Sequence, residues 1–296
     1  MESARCKAFL AAVETGSFTR AAEKLNYTTS GVSQLVAALE KELGITLFIR
    51  KKQGVALSVD GEHILPLIRS FVQQEERIYQ SASEIRGLSV GEITVAAYPS
   101  MSAHWLPLII RQFQNDYPQI HVNLMEGIRQ EIITWLEDGV ADIGFLSMNE
   151  DSQFDWFPVY KDRMIAVLPK DHPLAHADRY PIALCEKEKF IMPALGRDDD
   201  VVDMFARYNV HPNIQFSTME NYSAISMIEK GLGMSIMNER STFNWVSDVV
   251  KLPLEPPEDI TLGMAVPSLE HASSAARKFV EYARKESKLR INDEKG

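Results

Sequence analysis

Residues 18–39 read FTRAAEKLNYTTSGVSQLVAAL. Phe18, Ala21, Ala22 and Leu25 recur at i, i+3, i+4 and i+7, one face of a short helix. Asn26-Tyr27-Thr28 reads as a polar turn. Val32, Leu35, Val36 and Leu39 form the apolar side of a second helix, which opens on Thr28, Thr29, Ser30, Ser33 and Gln34. A helix, a tight turn and a helix starting with hydroxyl and amide groups is what a helix-turn-helix needs to enter the major groove of DNA. An ordinary helical hairpin shares the pattern, so the flanks decide.

Upstream, residues 3–15 predict a helix with Ala8, Phe9, Leu10, Ala12 and Val13 inward, stopped at Gly16 and followed by Ser17 as a cap. The second helix of the motif runs from about Ser30 to Leu43 and ends at Gly44. Downstream stands ITLFIRKKQGVALSVDG, residues 45–61. Two short apolar runs flank Arg50-Lys51-Lys52-Gln53-Gly54, a β-hairpin with a basic tip: a wing. Three adjacent cations there suit phosphate or minor-groove contact.

From Ser58, a cap, to about Leu88 the pattern changes. Ile64, Ile68, Phe71, Glu75, Ile78, Ala82 and Ile85 keep a heptad rhythm, which predicts a long helix whose apolar seam needs a partner. A second copy of the chain is the simplest one. Pro66 falls early in this helix, and Glu75 interrupts the seam. From Gly91 the grammar becomes alternating β and α. Strands are expected at 92–97, 121–125 and 142–146, with helices at 103–116 and 129–138 between them, a parallel βαβαβ unit. Two adjacent strands, 156–160 and 164–168, lead to a second α/β unit. A late strand at 261–266 and a final helix at 272–289 follow. Two such halves predict hinged lobes around a cleft.

The fold class is therefore α/β with an N-terminal winged helix-turn-helix, a long dimerisation helix and a two-lobed body like a periplasmic binding protein. The expected boundaries are 1–58, 59–90 and 91–296. Within the body, one lobe takes about 91–160 plus 265–290, and the other about 161–264.

Composition agrees. At 296 residues the chain exceeds one typical domain. Its net charge of −10 argues against non-specific coating of nucleic acid. Yet residues 1–60 hold eight basic and six acidic side chains, so the acid excess lies in the body. Cys6 and Cys185 suggest neither a disulfide framework nor a zinc site. No apolar run reaches membrane-span length and no signal peptide is legible, so a cytoplasmic protein without a membrane partner is expected.

Residues 1–61 resemble the N-terminal domain of LysR-type transcriptional regulators. The resemblance is carried by Phe9, Val13, Gly16-Ser17-Phe18-Thr19, Ala21-Ala22, Leu25, Ser30, Val32-Ser33, Leu39-Glu40, Leu43-Gly44, Leu47-Phe48, Arg50, Leu57 and Gly61. The long helix and two-lobed body follow in the family's order. The resemblance implies a homodimer or homotetramer that binds promoter DNA and answers to a small-molecule inducer in the cleft. Where the family often has a basic residue this chain has Gln34, and Ser58 stands where Thr is usual. Phosphate anchoring should therefore lean on the wing.

The candidate DNA-binding residues are Tyr27, Thr28, Thr29, Ser30, Ser33, Gln34, Arg50, Lys51 and Lys52. Gln pairs bidentately with adenine, Ser and Thr donate or accept, and the cations supply sequence-independent affinity. For the cleft, the loop Tyr98-Pro99-Ser100-Met101-Ser102 and the turns at Arg129, Ser147 and 193–197 follow predicted strands. With the family's inducer site, they point to Ser100, Met101, Ser102, Arg129, Ser147, Pro193 and Ala194. A carboxylate ligand is expected from the hydroxyls, the helix N-termini and Arg129 or Arg197. Asp198-Asp199-Asp200 has two readings, a group that favours a cation and, preferred, decoration of the next helix's N-terminus.

No cofactor, metal site or catalytic group is expected. Gly231-Leu232-Gly233 lacks the third glycine of a dinucleotide fingerprint. Gly87-Leu88-Ser89-Val90-Gly91 lies between a helix and a strand, the reverse of a hydrolase elbow. Pro173 separates His172 from His176 and breaks the helix that would align them. The four tryptophans read as core or interface. The alternative, a solute-binding protein, predicts a secretion signal and no helix-turn-helix.

Overall fold

A computed structural model describes residues 1–51, 54–85, 90–148, 153–243 and 246–293. Lys52 and Gln53, expected at the hairpin tip, Gly87, Trp245 and the side chains of Arg50 and Ile85 lie outside the described residues.

The N-terminal unit comprises α1 (Ser3–Thr15), α2 (Phe18–Leu25), α3 (Thr29–Leu43), β1 (Phe48–Lys51) and β2 (Gly54–Leu57). The glycines read as stops are stops: Gly16 and Gly44 adopt φ of 62° and 73°. Asn26 ends α2 at φ 56°, a conformation asparagine tolerates better than most residues. The core joins Phe9, Ala12, Ala21, Val32, Val36, Leu39 and Leu47. Phe48 anchors the wing to it, 5.3 Å from the Phe9 ring and 5.5 Å from that of Phe18. The Glu40 carboxylate accepts from the N–H groups of Leu47 and Phe48, so α3 also holds the hairpin.

Helix α4 (Val59–Ile85) follows, with Ser58 accepting from the Gly61 N–H at its start. The expected seam does not run along one face. Ile68 and Val72 are buried in the N-terminal core, with Ile64 against it, because α1 packs on this half of α4. Glu75 is no seam defect: it accepts from the Ser3 hydroxyl and pairs with Lys7 at 2.9 Å, tying α4 to α1. Leu67, Phe71 and Ile78 are among the apolar groups that α4 turns outward, with Val59 and Tyr79.

The body contains β3 (Gly91–Ala97), α5 (Pro99–His104), α6 (Leu106–Asp116), β4 (Ile120–Glu126), α7 (Arg129–Glu137) and β5 (Ile143–Ser147). Then come β6 (Asp155–Pro169), β7 (Tyr180–Pro181), β8 (Phe190–Met192), α8 (Asp199–Tyr208), β9 (Ile214–Ser217) and α9 (Asn221–Glu229). Strands β10 (Ser235–Asn238), β11 (Val249–Glu255) and β12 (Asp259–Val266) lead to α10 (Ser274–Asp293). The helix expected over 103–116 is two helices. Pro107, in the first turn of α6, has no N–H to continue α5.

The larger correction concerns β6. Two adjacent strands were expected, and one 15-residue strand is found. Its first half pairs antiparallel with β12, and its second half with β10 and β11. The sheet order is β4-β3-β5-β12-β6-β11-β7, parallel at β4-β3-β5 as the βαβαβ reading requires. The lobes therefore share a strand yet keep separate cores. Ile93, Val95, Phe113, Phe145 and Phe279 centre the first, and Phe190, Met204, Phe205 and Ile236 the second. Leu262 and Met264 of β12 belong to the first core, upstream of the residue 265 expected to begin that lobe's return. Between α4 and the body, Arg69 pairs with Asp138 at 2.5 Å and Gln73 donates to the Gly139 carbonyl.

Gly54 tests how the wing is held. It sits at φ 100°, and a Cβ there would lie 2.2 Å from the Gly16 carbonyl oxygen. That carbonyl accepts from the Val55 N–H at 3.0 Å. Gly54→Ala is expected to cost about 1–3 kcal/mol of stability in the N-terminal unit, read by urea denaturation, and to weaken DNA binding.

Candidate functional site

The first site is the start of α3. Thr28 caps it, its hydroxyl accepting from the Gly31 N–H at 3.1 Å. This engages the hydroxyl that the sequence assigned to base reading. Tyr27, Thr29, Ser30 and Gln34 are exposed and Ser33 is half-buried, while Val32, Val36 and Leu39 face the core. Ser30 and Gln34, four apart on α3, thus share one outward face, and exposed Tyr27 stands just ahead of the cap. Lys51 is exposed in β1, opposite Gly54.

The charge count treated all N-terminal cations alike, and the fold does not. Arg5 pairs with Glu2 and Glu42, Lys7 with Glu75, and Lys24 with Glu14. Among the described residues, Arg20, Lys41 and Lys51 enter no ion pair. Arg20, exposed on α2 near the wing, was missed; its place in the matched Gly16–Ala22 run was the available signal.

The second site is the cleft between the lobes, at the C-terminal ends of β3, β4, β8 and β10. Its empty volume is about 950 Å³, solvent mouth included. Of the seven expected residues, Ser100, Arg129 and Ala194 line it. Met101 does not: a helical step of roughly 100° from Ser100 turns it into the first lobe's core, where Tyr160 donates to its sulfur at 3.5 Å. Ser102 is buried behind the wall and bonds Glu126. Pro193 is buried beside Ala194.

Ser147 lies behind Arg129 in a network that joins the lobes. Arg129 Nη2 donates to Ser147 Oγ at 2.8 Å and also meets Asp200, while Nη1 pairs with Asp203 at 2.9 Å. The Ser147 hydroxyl reaches the Asp200 oxygens at 2.6 and 2.8 Å, and the Tyr98 hydroxyl lies 3.0 Å from Ser147 Oγ. Burial, with Asp200 nearby, holds the Tyr98 phenol protonated. Asp198 caps α8, accepting from the N–H groups of Asp200 and Val201. Burial and then Asp200 push its carboxyl above the usual range.

The acidic triplet is thus more than helix decoration: Asp200 crosses the cleft to the arginine expected to hold a ligand. Arg197 is engaged as well, its Nε 3.2 Å from Asp199. The carboxylate ligand expected from the sequence rested on hydroxyls and helix N-termini as well as on these two cations, of which Arg129 is paired within the fold.

A winged helix-turn-helix joined through one long helix to a two-lobed α/β body is the architecture of a transcriptional regulator. The pattern described as "Bacterial regulatory helix-turn-helix protein, lysR family" matches residues 4–62, and "LysR substrate binding domain" matches residues 86–288. The chain belongs to the LysR family of DNA-binding transcriptional regulators. It is 33% identical over 287 residues to the uncharacterized HTH-type transcriptional regulator YvbU of Bacillus subtilis, covering 96% of this chain and 98% of that one. Full-length CbnR complexed with its target DNA shares the fold, with a TM-score of 0.67 at 21% identity over 96% of this chain and 99% of that one. The effector-binding domain of QuiR in complex with shikimate does so with a TM-score of 0.61 at 23% identity, over 68% of this chain and 99% of that one.

Two stability measurements check the cleft. Arg129→Met leaves Asp200, 10% exposed, unpaired. It should cost about 2–4 kcal/mol in chemical denaturation, part of which the added Asp200→Asn recovers by removing the stranded charge. Asp162 of β6 is buried and accepts from Asn238 at 2.6 Å. Burial raises its pKa from 3.8 to about 6. The ionised form is thus disfavoured in the fold. Asp162→Asn should stabilise by about 1–3 kcal/mol above pH 6, with the gain vanishing toward pH 4, where the wild-type carboxyl is neutral.

Proposed function

We propose that this LysR-type regulator reads promoter DNA with the exposed start of α3, grips the backbone with the wing, and changes its DNA binding when a small molecule occupies the cleft. Exposed Ser30 and Gln34, with Tyr27 just ahead of the cap, carry the reading, because no packing role requires those polar groups there. Thr29 and Ser33 flank them, and Thr28 orders the helix that presents them. Arg50, Lys51 and Lys52, with Arg20, supply the electrostatic share. Ser100, Arg129 and Ala194 meet the effector, while Ser147 holds Arg129 in place. Met101, Ser102 and Pro193 shape the wall from behind.

Leu67, Phe71 and Ile78 on the outward face of α4 support a homo-oligomer built through that helix, as a dimer or a tetramer. Two copies bring two recognition helices to one site, which matches two-fold operator geometry. Promoter DNA places the work in the cytoplasm, and among the described residues no helix is long and apolar enough to cross a membrane.

A gel shift on the DNA upstream of the protein's own coding region is the direct test, and no shift relative to random DNA would overturn the reading. Gln34→Ala should relax base preference at one position by about 1–3 kcal/mol. Lys51→Ala should weaken specific and random DNA alike and lower the salt dependence by about one unit of slope.

A further inference from the structure

The cleft wall is unusual in its charge, and this bears on what the cleft binds. Six carboxylates line it: Glu126, Glu131, Asp198, Asp199, Asp200 and Glu220. The only guanidinium groups among the described lining residues are Arg129 and Arg197. Both are held by carboxylates, Arg129 by Asp200 and Asp203, Arg197 by Asp199. Arg129 is balanced within the fold, Arg197 keeps only its outer nitrogens open to solvent, and the lining carboxylates outnumber the guanidinium groups six to two.

Three further observations point to a ligand rather than to a solvated acidic surface. Ser100 is only 8% exposed and lines the cleft, yet its hydroxyl makes no hydrogen bond among the described residues. Asn221 Oδ1, also in the lining, is a buried acceptor without a partner. Tyr98 and Trp135 add aromatic surface, which attracts cations electrostatically. Arg129 Nε lacks a hydrogen-bond partner too, but two carboxylates already balance that guanidinium. Among the lining side chains, the free capacity is therefore mostly acceptor: carboxylate lone pairs, an amide oxygen and a hydroxyl. A carboxylate ligand brings only acceptors and a like charge. A protonated amine or guanidine brings donors and the opposite charge.

Resting on the reading of this cleft as the effector site, we infer that the effector is an organic cation bearing N–H donors, an amine or a guanidine. Its charged head lies between Glu131 of the first lobe and Glu220 of the second, so binding draws the lobes together. Glu126 deepens the negative field, and Ser100 orients the ligand through its unused hydroxyl.

The test is calorimetric titration of the full-length protein with butylamine, putrescine and agmatine, against size-matched butyrate and succinate. The amines are expected to bind saturably at one site per chain, more weakly as salt rises. Glu220→Gln and Glu131→Gln should each lower that affinity about tenfold, and glutamine keeps an acceptor for the Ile128 N–H that Glu131 now holds. Amine binding that both variants leave unchanged would place it elsewhere on an acidic protein and overturn the inference. Saturable carboxylate binding without amine binding would also overturn it, while leaving the cleft as an effector site. Binding by neither class would remove both, with the gel shift still deciding DNA binding separately.

Discussion

The body of this protein hangs on one strand. Residues 155–169 run unbroken through both lobes, pairing with β12 on one side of the hinge and with β10 and β11 on the other. A continuous hydrogen-bonded strand resists stretching and shearing but allows twist and bend. Two cores built on such a strand can rotate relative to one another without either being repacked. In the mouth between them, Arg129 from one lobe meets Asp200 and Asp203 from the other.

That cross-lobe pair changes how the cleft reads chemically. Arginine after a strand, next to hydroxyls, suggests an anion site when only neighbouring residues are in view. The answering carboxylates stand about seventy positions later in the chain. Burial raises the cost of leaving any of these charges alone, so the pair satisfies itself first. What reaches solvent is the remainder, and the remainder is acidic.

At the DNA end the same logic works in the opposite direction. Three N-terminal cations are neutralised by carboxylates of their own domain or of α4, which leaves Arg20, Lys41 and Lys51, among the described residues, for phosphate. The wing is held by local geometry instead. Phe48 stacks into the core, Glu40 binds two strand N–H groups, and Gly54 fits under a carbonyl. The recognition helix is positioned by a rigid three-helix core whose cap residues were chosen locally.

The chain's local chemistry was legible from the residues alone. Helical periodicity, Gly16 and Gly44 as stops, Thr28 beside the turn and the basic hairpin all act within a few positions, so the winged helix-turn-helix, the long helix and the βα alternation follow from sequence. Family likeness extended the reading over most of the chain. What needed the tertiary structure was anything settled between distant residues. Whether Trp156–Tyr160 and Met164–Leu168 make one strand or two depends on β10, β11 and β12, which arrive far later. Whether Glu75 is a seam defect depends on Ser3 and Lys7. Whether Arg129 is free depends on Asp200. Periodicity shows which face of an element is apolar, but only packing shows what stands opposite it and which charges are already satisfied.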